Sequence, residues 1–284
     1  MIDTHHHLWD LSVRSQPWLT GDQPWATEEE LAPLRRSFTA ADLAAAALGS
    51  GVTGTVVVQV LADPAETADM LALAGKGGIV KAVVGWADLT APDVAGQIAA
   101  YRELPGGERL AGVRHPLLAE PDPDWLARPA VLDGLRSVGA CGLCFDLALF
   151  AHQLPLAVAT ARSVPEVIFV LDHLGNPAVE SGGGFEAWAA AIGDLGQLDN
   201  VVCKLSGAHT SPVSAPRLRP YYQAALAAFG PSRLMFGSDW PVSALTAPYH
   251  EIAQMYLELI GELSQAEQLA ILDETAGRVY RASA

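Results

Sequence analysis

The sequence predicts an α/β protein built as one distorted (β/α)8 barrel, spanning residues 1–284. Three observations carry that expectation. Eight short apolar runs follow one another, and from the second onward they recur about every 30 residues, the length of one strand–helix unit. The runs are nearly unbroken in Val, Ile, Leu and Phe rather than alternating, as strands covered on both faces must be. The length, 284 residues, suits a single barrel of ~250 residues, and no linker-like shift in composition divides it.

The first run, Met1–His5, leads into His5-His6-His7. Strand side chains two apart share a face, so Asp3, His5 and His7 are expected together and His6 opposite. At the C-terminal mouth of a barrel the shared face is the interior, where two imidazoles make half of a divalent-metal site; a histidine-rich surface turn is the other reading. Residues 9–38 form a connection longer than ordinary βα loops and hold Trp9, Trp18 and Trp25, three of the seven tryptophans. These rings either wall the barrel mouth, suited to packing on a sugar-like ring, or pin the loop through a cluster of their own. Thr39 is placed to cap an alanine-rich helix that stops near Gly49 or Gly51.

The second run, Thr55–Val60, ends at Gln59, and the third, Val80–Trp86, at Trp86. The fourth, Leu110–Arg114, presents Arg114 and His115; the fifth, Cys141–Asp146, presents Asp146. Cys141 and Cys144 lie three apart on that fifth strand, which points them to opposite faces and keeps them from sharing an ion. The sixth, Val167–Asp172, delivers Asp172 and His173 ahead of a Gly-Asn-Pro turn, with a core histidine as the plainer reading. The seventh, Val201–Leu205, carries Lys204. The eighth, Leu234–Gly237, leads into Asp239, which can ligate a metal and deprotonate a water, or simply cap a short helix. Ser264 to Glu267 reads as a capping box. Polar groups at the ends of seven strands are hard to explain as core packing. Arg114 or Lys204 could steady an oxyanion there.

Composition excludes other classes. The net charge of −15 opposes binding to a phosphate backbone or an anionic membrane surface. No apolar window is long enough to span a bilayer, and the chain does not open with a secretory signal pattern, so a cytoplasmic protein is expected. Three cysteines make no disulfide framework. A Gly-x-Ser-x-Gly elbow, a P-loop and a dinucleotide fingerprint are all missing. A small-molecule substrate is expected, and a homo-oligomer is compatible with the sequence.

Five segments in this order carry a resemblance: Ile2 to Asp10, Gly112 to Pro116, Leu171 to Pro177, Cys203 to Gly207 and Phe236 to Pro241. Together they resemble the amidohydrolase superfamily over residues 2 to about 281, and within it the sugar-lactonase branch of fuconolactonases and rhamnonolactonases, related to the pyrone-dicarboxylate lactonases. The resemblance implies hydrolysis of a lactone ring. His5, His7, His173 and Asp239 match the family's metal ligands, with Asp239 and His173 as the catalytic pair. It implies one divalent ion, zinc, or none, since a lactone is already an activated ester. Two departures stand out. Binuclear members carry a carbamylated lysine or a glutamate where this chain has Arg114-His115 and Asp146, and Thr275 replaces a more usual asparagine. Substrate contacts are expected from Arg114, His115, Lys204, Trp86, Gln59, Asp146 and Trp240.

The expected reaction has Asp239 take a proton from water that attacks the lactone carbonyl. The oxyanion rests on Arg114, His115, Lys204 or a bound ion, and Asp239 or His173 protonates the leaving ring oxygen. A dicarboxylate would need several cations, yet only Arg114 and Lys204, with Arg14 in the long loop, offer themselves. A neutral 1,4- or 1,5-aldonolactone fits better. The alternatives are a metal-dependent decarboxylase or hydratase of the same superfamily, and a sugar-binding barrel without catalysis.

Overall fold

The computed structural model describes residues 1–207 and 214–282. Eight parallel strands pair in chain order: β1 (Ile2–His6), β2 (Gly54–Val58), β3 (Val80–Gly85), β4 (Leu110–His115), β5 (Cys144–Leu147), β6 (Phe169–Leu171), β7 (Val201–Leu205) and β8 (Leu234–Phe236). The helices are α1 (Ala40–Ala46), α2 (Pro64–Ala74), α3 (Val94–Arg102), α4 (Pro129–Ala140), α5 (Leu154–Ser163), α6 (Phe185–Gly196), α7 (Ala215–Phe229), α8 (Tyr249–Ile260), α9 (Gln265–Leu269) and α10 (Thr275–Tyr280). β1 comes back beside the end of the sheet. Thr4 Oγ1 donates to the Phe236 carbonyl at 2.6 Å, and the Asp239 N–H donates to the His5 carbonyl at 2.7 Å.

The strand faces divide as an α/β barrel requires. Val57, Val83, Val113, Phe145 and Phe169 pack outward on the helices. Ile2, Val56, Val58, Ala82, Val84, Val170, Val202 and Met235 fill the interior, where Ala276 and Tyr280 of α10 join them. Both capping boxes form. Thr39 accepts from the Asp42 N–H and Ser264 from the Glu267 N–H, a stabilisation of about 1 kcal/mol each. No helix among the described residues is long and apolar enough to cross a membrane.

Several strand expectations need correction. The fifth begins at Cys144 rather than Cys141, because Cys141 closes α4 and Gly142 turns the chain at φ +68°. The two cysteines are thus on different elements, with Cys144 buried and Cys141 half-exposed. The sixth and eighth stop short of Asp172 and Gly237. The shared face expected for Asp3, His5 and His7 does not hold. Ile2 occupies the interior, so Asp3 turns away from it and accepts from the Ser238 N–H (2.8 Å), the Ser238 hydroxyl (2.6 Å) and the Tyr249 hydroxyl (2.8 Å). A register shift between Asp3 and His6 then resets the parity.

The long connection is anchored twice. Trp9, Phe38 and Trp240 stack edge to face at 5.0 and 5.3 Å within a cluster that includes Leu19, Leu31 and Leu34. Arg14 bridges to Asp63 at 2.6 Å and to Asp69 at 2.9 Å on and beside α2.

Candidate active site

Three imidazoles and one carboxylate meet at the mouth of the barrel. His5 and His7 come from the end of β1, His173 from the turn after β6, and Asp239 from the loop after β8. His5 Nε2 lies 3.1 Å from His7 Nε2. Asp239 Oδ1 lies 3.6 Å from the first and 3.3 Å from the second. His173 Nε2 is 3.9 Å from Asp239 Oδ2, and its ring sits 4.4 Å from that of His5. His173 and Asp239 both adopt left-handed backbone, at φ 56°, a conformation that costs about 1–3 kcal/mol at a non-glycine residue and concentrates at functional sites.

The other nitrogen of each ring is held by the protein. His7 Nδ1 bonds the Val58 carbonyl at 2.8 Å, which fixes its proton there and leaves Nε2 as a lone pair. His173 Nδ1 meets Ser206 Oγ at 2.9 Å. His5 Nε2 faces the Arg114 guanidinium at 3.4 Å, while Nδ1 lies 3.2 Å from the Lys204 ammonium and 3.3 Å from Asp172 Oδ1. A ligating Nε2 requires the proton on Nδ1, and of the two groups beside Nδ1 only the Asp172 carboxylate can accept it. Asp172 Oδ1 also stands 2.9 Å from the Lys204 ammonium, so it sits between the His5 ring and a buried cation. Burial holds the His5 imidazole well below its ordinary range and therefore neutral. Asp172 is also buried, which alone would raise its carboxyl, but Lys204, His5 and Arg114 together hold it well below the usual carboxylate range.

The residues present fit a zinc ion. Tetrahedral arms of ~2.0–2.1 Å place neighbouring ligand atoms about 3.3 Å apart. The three separations among His5, His7 and Asp239 bracket that value, and the Asp172 carboxylate beside His5 Nδ1 supplies the outer contact that ligating imidazoles need. Three protein donors leave the fourth position open, as in catalytic rather than structural zinc sites.

Above this cluster opens a cavity of about 700 Å3. His7, Arg114, His173 and Asp239 line it, with Trp18 and Trp25 from the long connection and Phe150 on its walls. The connection therefore both walls the mouth and is pinned by its own cluster.

The expected substrate contacts narrow sharply, because of the seven only Arg114 lines the cavity. Gln59 serves Arg114, its side-chain oxygen accepting from Nε at 3.3 Å and Nη2 at 3.1 Å. Lys204 and Asp146 are wholly buried and pair with each other at 2.6 Å. His115 bonds Glu120 at 2.9 Å, stacks on Trp125 at 4.0 Å and meets the Trp86 indole N–H at 3.3 Å. Trp240 is buried in the cluster around Phe38. Arg14 is spent on Asp63 and Asp69. In each case a nearby partner satisfies the group away from the cavity, which a strand-end position alone does not reveal.

Two supporting residues are not marked by the sequence reading as members of the site, Ser206 and Tyr280, while Asp172, expected beside His173 at a strand end, takes a supporting place against His5. Ser206 follows Lys204 by two residues, adjacency that marks it weakly. Tyr280 carries no local signal at all.

Gly207 shows how closely His173 is seated. Its backbone stands at φ +73°, and a Cβ there would lie 2.3 Å from the His173 Cβ. Gly207→Ala is expected to displace His173 and lower kcat by about 100-fold, the scale of a roughly 1 Å misplacement. Steady-state kinetics beside a thermal melt check this; unchanged kcat in a folded variant would remove His173 from the reaction.

The family model described as Amidohydrolase matches residues 2–282. An L-fucono-1,5-lactonase of Burkholderia multivorans is 37% identical over 98% of this chain and 95% of its own. An L-fucono-1,5-lactonase of Burkholderia ambifaria is 36% identical over 87% of this chain and 82% of its own. A crystal structure of an amidohydrolase from Burkholderia multivorans with bound zinc aligns at a TM-score of 0.88 and 35% identity, covering 99% of this chain and 98% of that one.

Proposed function

Since the chain belongs to the amidohydrolase family, we propose that it hydrolyses the ring ester of a sugar-derived lactone, with a 1,5-aldonolactone as the substrate class. The observation that carries this reading is Asp239, a carboxylate lining the cavity within 4 Å of three imidazoles, with the Arg114 guanidinium lining the same cavity. The L-fucono-1,5-lactonases of comparable length and 36–37% identity point to the same ester.

Asp239 accepts a proton from water as the water oxygen attacks the lactone carbonyl carbon. The carbonyl π electrons move to oxygen, and Arg114 steadies the resulting charge from the cavity floor. His115 and Lys204 drop out of that role, being held away from the cavity. As the tetrahedral adduct collapses, the bond to the ring oxygen breaks. Asp239 returns its proton to that oxygen, with His173 beside it as the second donor. The product is an open-chain hydroxy acid. A zinc ion held by His5, His7 and Asp239 would polarise the carbonyl and make water more acidic.

Arg114 is the one lysine or arginine lining the cavity among the described residues, which favours a neutral ring over a dicarboxylate. The same scarcity of cations argues against a decarboxylase gripping a substrate carboxylate. The test is a pH-indicator assay over a panel of aldonolactones, before and after chelation. One proton should appear per ring opened, and turnover should fall at least tenfold in the apoprotein and return with zinc. No turnover on any lactone, or release of carbon dioxide from an acid substrate, would overturn the reading.

A further inference from the structure

Beneath the cluster lies a set of buried polar groups that the reaction does not use. The Tyr280 hydroxyl, reaching in from α10, contacts both Asp146 oxygens at 2.8 and 2.9 Å. Asp146 Oδ2 accepts from Lys204 Nζ at 2.6 Å. Lys204 Nζ stands 2.9 Å from Asp172 Oδ1 and 3.2 Å from His5 Nδ1. Lys204, Asp146 and Asp172 have no exposure and Tyr280 has 1%.

Stability does not account for this arrangement. A buried ion pair is often matched or bettered by apolar side chains of the same volume, and the surrounding interior is Val, Ala and Met. What the arrangement supplies is location. Asp172 has to sit where it receives the His5 Nδ1 proton, because that contact keeps the Nε2 lone pair turned toward His7 and Asp239. An unaccompanied Asp172 would be drawn to Arg114, which holds its other oxygen at 3.2 Å. Lys204 pulls from the opposite side, and Lys204 is itself fixed by an Asp146 whose carboxylate plane is set by the Tyr280 hydroxyl.

We propose that Tyr280, Asp146 and Lys204 are positioning residues, a buried strut from α10 through the barrel interior that holds Asp172 against His5 Nδ1 and so presents His5 Nε2 as a metal ligand. This rests on the zinc reading of the site given above. The strut touches neither substrate nor ion. It acts only through Asp172 and His5.

The experiment measures zinc affinity by competition with a chromogenic chelator, together with kcat and KM at saturating zinc and a thermal melt. It compares the wild type with Tyr280→Phe and with the double variant Asp146→Leu/Lys204→Met. The double variant removes opposite charges together and leaves Asp172 its Arg114 partner. Zinc affinity is expected to fall about tenfold in Tyr280→Phe and up to about 100-fold in the double variant, the range seen for groups that orient metal ligands. Values of kcat should fall with KM within twofold of wild type, a split that a merely structural role would not produce. Folded variants with wild-type zinc affinity and kcat would overturn the proposal. If the double variant does not fold, Tyr280→Phe decides alone on the same criteria. Failure of the zinc reading looks different: the wild type and His7→Ala would both bind no zinc. The strut would then be judged on kcat in Tyr280→Phe, supported by a tenfold loss at unchanged KM and overturned by no loss.

Discussion

Asp239→Asn is expected to lower kcat by about 1,000-fold or more while leaving the melting temperature unchanged or higher. The size follows from the two tasks proposed for this one carboxylate. General base catalysis alone contributes about 10²–10⁴-fold, and an amide cannot accept the water proton. The fold has reasons to tolerate the change. Asparagine has the same shape and is among the few residues that enter the left-handed region readily, where Asp239 stands at φ 56°. The Asp239 backbone N–H on the His5 carbonyl is untouched by the substitution. Kinetics at saturating zinc, with circular dichroism on the same sample, separate lost proton transfer from lost metal. Activity within tenfold of wild type would end the role of Asp239.

Lys204→Met alone should cost about 3–5 kcal/mol, since it leaves the buried carboxylates of Asp146 and Asp172 without the ammonium that lies 2.6 and 2.9 Å from them. For a chain of this size that is a fall on the order of 10 °C in melting temperature. The deficit should depend on pH in a definite direction. Burial already raises the Asp146 carboxyl above its ordinary value, with Lys204 opposing that rise. Without Lys204 the folded-state value rises further above the unfolded one. A carboxyl raised on folding destabilises the folded state where it is ionised, at higher pH, and that penalty fades as pH drops through the folded value. Melts of wild type and variant from pH 7 to pH 5 should therefore converge. A constant gap would mean that the loss is one of packing rather than charge.

How much of this was legible in the sequence depends on range. The eight strands are legible, because strands covered on both faces announce themselves by unbroken apolar runs; β7 has the bounds its apolar run predicts, whereas β5 starts later than its run because Cys141 and Gly142 belong to a helix end and a turn. His5, His7, His173 and Asp239 could be nominated from strand ends, and the fold brings them together. The parity of β1 could not be read, because a single register shift separates Asp3 from His5 and leaves no mark in local composition. Nor could the fates of His115, Lys204 and Trp86, whose partners Glu120, Asp146 and His115 are chosen by three-dimensional proximity. Strand-end position identifies which residues are available at the mouth, and only packing decides which of them remain uncommitted.

Ser238 meets Asp3 across 235 residues of chain. That one clasp makes the reactive centre an all-or-none assembly. A growing polypeptide that has emerged only as far as α7 already owns every imidazole of the centre, yet Asp3 has no Ser238 or Tyr249 to bury against and His5 has no Asp239 to face. By the same logic, any stress that peels β8 from β1 takes the centre apart while the seven other strand pairings are still intact.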